Sequence, residues 1–307
     1  MKAITVVPKT EGSLEYGDVP EPDPSTGSIL VEAVAVGICG TDVEIATGKY
    51  GWAPPGRERL VLGHESLGRV IEAPEGSGVA EGDLVAGIVR RPDPVPCPSC
   101  AVGEWDMCLN GQYTERGIKG LHGFMAELVA DDERYFVKVP PSLRDVGVLV
   151  EPLTIAEKGA AQAAVLLGRV PGELARSTGF KRAVVLGAGP VGLLGAMKLV
   201  AVGWETWVYS KGEATSANAE VVTATGARFV SSDRHTPADL AEMVGGISLV
   251  YEATGAAQVS FEVMSVLGTN GAFIFTGVPG RCGPLEIDAN LIMRNLVLKN
   301  QVVVGTV

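Results

Sequence analysis

Hydrophobic and polar positions change rhythm near residue 150. Before it, short runs of β-branched residues are broken by Gly and Pro, so Ile29 to Val36, Glu65 to Glu72 and Asp83 to Val89 predict strands of an irregular β-rich domain. Met1 to Pro8 predicts a further strand at the amino terminus. After Asp145 the pattern lengthens, and Val150 to Leu167, rich in Ala, Leu, Glu and Lys, predicts a helix leading into a second domain. From Arg182 onward strand and helix alternate. Strands are predicted at Arg182 to Leu186, Glu205 to Ser210, Arg228 to Val230, Ser248 to Glu252, Ala272 to Thr276 and Val302 to Val304, with helices between the first three. That order specifies an α/β protein whose second part is a doubly wound parallel sheet with helices on both faces. The expected domains are residues 1–155 and 156–307.

Composition narrows the class. In 307 residues, 46% of them hydrophobic, there is core enough for two domains. Acidic residues outnumber basic ones, 36 against 25, which argues against a nucleic-acid partner. No run is long and apolar enough to predict a membrane span, and the first residues lack a secretory pattern. Five cysteines, four of them in ligand-like contexts, argue against a disulfide framework and favour a cytoplasmic location. The fifth, Cys282, reads as a small buried residue.

Two motifs carry chemistry. Gly187-Ala188-Gly189-Pro190-Val191-Gly192 follows the strand Ala183 to Leu186 and opens an apolar helix, the context in which a glycine fingerprint binds a dinucleotide. Backbone amides there approach a pyrophosphate at the positive helix end. The next strand ends at Ser210-Lys211-Gly212, where a carboxylate would bind the ribose 2′-hydroxyl of NAD. A cation in that place favours the 2′-phosphate of NADP, with NAD as the alternative; the other reading of Lys211 is a solvated turn lysine. Thr254, Thr276 and Val278 complete the expected cofactor-binding set.

The second motif is Cys39-Gly40-Thr41-Asp42, with Gly63-His64-Glu65 and Glu151-Pro152 further on. One thiolate, one imidazole and two carboxylates suit a catalytic zinc better than a closed structural site. A zinc-assisted dehydrogenase is the resulting hypothesis. Glu65 and Glu151 have a second reading, since carboxylates near a metal also serve as supports for its ligands.

These segments, together with the lobe from Arg90 to Cys108 and the stretch Gly111 to Ile118, resemble the zinc-dependent medium-chain alcohol dehydrogenases and, within them, the archaeal glucose 1-dehydrogenases. The resemblance implies a GroES-like catalytic domain followed by a Rossmann domain. It implies that Cys39 and His64 ligate one zinc, that Glu65 is a near or direct ligand, and that Glu151 holds the metal directly or through water. Thr41 would pass the substrate proton outward, and Thr41, Glu115 and Glu151 would meet the substrate. That substrate would be D-glucose or a similar aldose, and the assembly a homodimer or homotetramer. Relatives continue beyond Val307 through helices of the catalytic domain, so part of that domain is expected to be missing here. Cys97, Cys100 and Cys108 depart from the four-cysteine lobe of zinc-bearing relatives, because Pro94 stands at the first position. Asp93 as a fourth ligand and a lobe without metal both stay open. Arg90 and Arg91, beside the lobe, receive no chemical role.

Overall fold

The computed structural model describes residues 1–171, 181–280 and 283–306, so Cys282 lies outside the described residues. The chain divides into two compact units, Met1–Glu151 and Pro152–Val307, against an expected break after residue 155. The helix Val150–Leu167 begins at that division.

The first unit is built on an antiparallel five-stranded sheet in the order Leu128–Asp131, Ile29–Gly37, Glu65–Glu72, Leu84–Gly87, Phe136–Val139. Alternation along the strands sends Ile29, Val31, Val70, Val85, Val129 and Phe136 into one core and Leu67, Leu84, Ala86 and Val139 into another. The predicted strand Asp83 to Val89 is shorter than expected, Leu84–Gly87. Register shifts between Leu30 and Val31 and between Ala33 and Ala35 bend the long strand before it reaches Gly37. A second sheet joins Glu15–Asp18, Lys2–Val6 and Leu60–Val61. A third joins Arg90–Arg91, Thr114–Arg116 and Gly120–Leu121. Beside it Asp131 lies buried between the guanidinium groups of Arg91 and Arg116, so a charge inside the unit is matched on both sides.

The second unit contains a six-stranded parallel sheet in the order Arg228–Ser231, Glu205–Ser210, Arg182–Leu186, Leu249–Glu252, Ala272–Phe275, Val302–Gly305. The chain order reverses beside Arg182–Leu186, which opens a crevice at the carboxyl ends of the strands. Ala183, Val185, Val208, Leu249, Tyr251 and Ile274 enter one face core, and Val184, Leu186, Trp207, Tyr209, Val250 and Phe273 the other. Helices follow the later strands as well as the earlier ones, a correction to the predicted set: Pro237–Val244, Ala257–Ser265 and Ala289–Leu298. They are short enough to blur the 3.6-residue period. The start of the first was nevertheless marked by Thr236, Pro237 and Asp239, a capping box with Pro at its first turn.

Tyr251 decides how closely two helices approach this sheet. A Cβ on Gly159, in Val150–Leu167, would lie 2.6 Å from one edge of its ring, and a Cβ on Gly195, in Pro190–Ala201, 2.5 Å from the other. Ala improves helix propensity by about 1 kcal/mol, whereas overpacking a confined ring costs about 1–3 kcal/mol. With Tyr251 held on both edges, the steric cost wins. Gly195→Ala should therefore lower stability by up to about 2 kcal/mol, read as a lower denaturation midpoint at unchanged m-value.

Candidate active site

A helix start and a strand start together assemble the metal-type residues. Cys39 is the cap of the helix Gly40–Ala46; its Sγ accepts from the Thr41 amide at 3.3 Å, and the Asp42 carboxylate accepts from the Cys39 amide at 3.0 Å. This reciprocal capping places the thiol and the buried Asp42 in one turn. His64 enters from the start of the strand Glu65–Glu72, after Gly63 with φ of 91°. Its Nε2 lies 3.0 Å from Cys39 Sγ, and its Nδ1 faces Asp42 Oδ1 at 3.4 Å. Glu65 pairs across the sheet with Gly37, where a Cβ would fall 2.0 Å from Glu65 Oε2. The missing side chain is what leaves room for the carboxylate.

Ligand atoms of Cys39, His64 and Glu65 lie within 4.8 Å of one another. Sulfur, imidazole nitrogen and carboxylate oxygen converging in this way fit a zinc ion. Burial alone would lower the pKa of His64, but Asp42 and Cys39 outweigh it and hold the imidazole at about 11. A ring nitrogen facing a thiol on one side and a carboxylate on the other is the arrangement that orients a metal-binding histidine. Glu151 is not among the mutually close donors. It lies in their electrostatic field: burial raises its carboxyl to about 7, helped by Glu65, Asp42 and Glu115 and opposed by His64. Burial likewise raises Glu65. Thr41 sits in the first turn of the Cys39-capped helix. Glu115 is tied to Arg90 at 2.7 Å.

In the lobe, the thiols of Cys97, Cys100 and Cys108 also lie within 4.8 Å of one another. Pro94 offers no donor atom, but the buried Asp93 directs Oδ2 to 4.0 Å from Cys108 Sγ. Amides of Cys100 and Leu109 point at Cys97 Sγ and lower that thiol to about 6.

The second unit carries the residues expected at the nucleotide. Gly187 adopts φ of 97°, and a Cβ on Gly192 would lie 2.2 Å from the Gly187 carbonyl oxygen, so these glycines allow the turn and the close helix-to-strand packing. Gly189 caps the helix Pro190–Ala201 without a side-chain bond, and a Cβ there would meet nothing within 4 Å. Uncapped amides beside open space fit an anion. Val191 lies in the first turn of that helix. Ser210 is committed to the fingerprint, its Oγ accepting from the Ala188 amide at 3.2 Å. Lys211 is exposed in the following turn. That turn is nearer to carboxylates than the sequence implied, since Asp233, from beyond the next strand, accepts from the Gly212 amide at 2.7 Å.

Thr254 and Thr276 are organised by a residue that no motif marks. Glu252, 1% exposed, accepts at Oε1 from the Thr254 amide and hydroxyl, both at 2.6 Å, and from the Gly255 amide at 2.9 Å. Its Oε2 accepts from the Gly277 amide at 3.2 Å, and its carbonyl accepts from Thr276 Oγ1 at 2.7 Å. Val278 follows and is exposed. Asp42 was equally missed as a working residue, although its place three positions after Cys39 signals a helix cap.

A β-rich unit with Cys, His and Glu converging, followed by a fingerprint sheet, is the plan of the zinc-containing medium-chain dehydrogenases. Residues 25–141 match the alcohol dehydrogenase GroES-like domain, and residues 144–307 match the glucose dehydrogenase C-terminus. The chain is 38% identical to glucose 1-dehydrogenase of Methanocella arvoryzae, covering all of this chain and 84% of that one. Against glucose 1-dehydrogenase of Thermoproteus tenax the identity is 40%, with the same two coverages. A solved structure, Haloferax mediterranei glucose dehydrogenase in complex with NADP, Zn and gluconolactone, superposes with a TM-score of 0.88 at 33% identity, covering 100% of this chain and 85% of that one. The chain belongs to the glucose dehydrogenase family.

Removing the carboxylate behind His64 tests the metal site. Asp42→Asn retains a capping oxygen but not the charge, and zinc affinity should fall about 10–100-fold in competition with a chromophoric chelator.

Proposed function

We propose that this chain oxidises the anomeric hydroxyl of D-glucose, or of a close epimer such as D-galactose, to the aldonolactone, with hydride passing from C1 to the nicotinamide of NADP and a proton released. NAD is the alternative acceptor. The observation that carries the reading is the convergence of Cys39, His64 and Glu65, in a chain whose relatives are named glucose 1-dehydrogenases.

Cys39, His64 and Glu65 would hold the zinc, with Glu151 bound directly or through water. When bound, zinc supplies Lewis acidity that makes a sugar hydroxyl easier to deprotonate. Asp42 keeps the His64 ring facing the thiol. Thr41 Oγ1 takes the proton of the reacting hydroxyl and passes it outward without a charged group in the open. Glu115 and Glu151 accept hydrogen bonds from sugar hydroxyls; an apolar alcohol would leave these acceptors unpaired at a cost.

On the cofactor side, amides of Gly187 to Gly192 meet the pyrophosphate, with Pro190 presetting the first helical turn. Ser210 fixes the turn that carries Lys211, whose ammonium reaches the 2′-phosphate. Thr254, Thr276 and Val278 complete the cofactor edge. The protein assembles as a homodimer or homotetramer in this reading, on the strength of the family resemblance.

NADPH absorbance followed with a panel of sugars and simple alcohols tests the proposal. Aldoses should be the fastest substrates, and turnover should vanish on chelation and return with zinc. Full turnover without metal, or a preference for simple alcohols, would overturn it. For the cofactor, Lys211→Glu replaces a phosphate contact with a repulsion, and a charged hydrogen bond contributes about 1.5–3 kcal/mol. The NADP to NAD ratio of kcat/KM should fall by at least about tenfold.

A further inference from the structure

Arg90 received no chemical role from the sequence, yet it is bonded to the side chain assigned to the sugar. Arg90 and Glu115 face each other across the antiparallel strands Arg90–Arg91 and Thr114–Arg116, which puts both side chains on one face of that small sheet. Nε and Nη2 of Arg90 donate at 3.0 and 2.7 Å to the same oxygen, Glu115 Oε1. Among the described residues, Oε2 of Glu115 and Nη1 of Arg90 take part in no hydrogen bond.

The pair is held from a third side. The Arg90 guanidinium lies 4.2 Å from the centre of the Tyr113 ring, and the Lys119 ammonium lies 4.0 Å from the same ring while donating to the Gly111 carbonyl at 2.7 Å. The Arg90 and Glu115 side chains are only 18% and 13% exposed, so solvent screens their attraction weakly. Such an arrangement restrains rotation of the Glu115 carboxylate and leaves its second oxygen as an uncommitted acceptor. A carboxylate oxygen has more than one acceptor site, so the two O–H donors of a vicinal diol match the free oxygen of Glu115. The charge of Glu115 is felt by Glu151, which lies in the field of the metal residues.

We propose that Arg90 is a positioning residue for sugar recognition, holding Glu115 Oε1 so that Oε2 is presented to a vicinal diol of the substrate. The inference rests on the reading above that Glu115 contacts the sugar. A purely structural ion pair would affect folding, zinc content and turnover together. A positioning residue acts on the sugar KM through Glu115.

The experiment compares Arg90→Gln, Arg90→Lys, Glu115→Gln and the double variant Arg90→Gln/Glu115→Gln in the zinc-loaded enzyme, with NADPH fluorescence titration and zinc analysis for each. Arg90→Gln should raise KM for glucose about tenfold, equivalent to about 1.4 kcal/mol, while kcat changes less than about threefold and zinc content and NADPH affinity are retained. Arg90→Lys, which keeps charge but loses the two-nitrogen grip, should fall between. Because Arg90 acts through Glu115, the double variant should be little worse than Glu115→Gln alone. A wild-type KM in Arg90→Gln beside a raised KM in Glu115→Gln would overturn the Arg90 inference and leave the Glu115 reading standing. An unchanged KM in Glu115→Gln would overturn both. Additive losses in the double variant, or zinc loss in Arg90→Gln parallel to its loss of activity, would show Arg90 to be structural.

Discussion

The catalytic half of this protein depends on the reciprocal cap at Cys39 and Asp42. One helix start satisfies two backbone amides and at the same time fixes a thiol and a carboxylate on either side of where the imidazole of His64 arrives. Helix capping and orientation of the His64 ring are thus one interaction, and the buried carboxylate finds its justification in both. Glu65 is added by the sheet: its cross-strand neighbour is Gly37, the position with no side chain to block it. Local backbone satisfaction, strand register and donor geometry therefore converge without a separate scaffold for the metal.

Much of this was legible beforehand, and the reasons differ by element. The parallel sheet announced itself because its strands are buried on both faces and read as apolar runs, and the fingerprint was readable because Gly187 and Gly192 answer distinct steric demands while Gly189 leaves the helix start open. Cys39, His64 and Glu65 could be grouped from residue type and motif. Their mutual approach could not, since it depends on strand register. Asp42 escaped notice as a functional group because its signature is that of an ordinary cap, and Glu252 because a carboxylate at a strand end looks solvated until the amides of Thr254, Gly255 and Gly277 fold over it. Arg90 was hidden for a related reason, as a cross-strand partner is invisible along the chain.

The two units meet different physical demands. In the first, charge is managed by pairing: Arg90 with Glu115, and Arg91 and Arg116 with Asp131. In the second, the cofactor edge is shaped by the backbone, through glycines that lack obstruction and amides that lack caps. On the reading proposed above, the pairing of Arg90 with Glu115 positions a carboxylate for a polyhydroxylated substrate, and the second unit leaves backbone donors for an anionic cofactor.

Glu252 has a bearing on the medium in which such a protein works. Its carboxylate is balanced by amide and hydroxyl dipoles rather than by a cation, and it is almost completely withdrawn from water. Dissolved ions weaken exposed ion pairs such as Lys2 with Asp18, yet they have little access to a clasp made of fixed dipoles. The loops at residues 254 and 277 are in that sense fastened by a joint that dissolved salt reaches poorly.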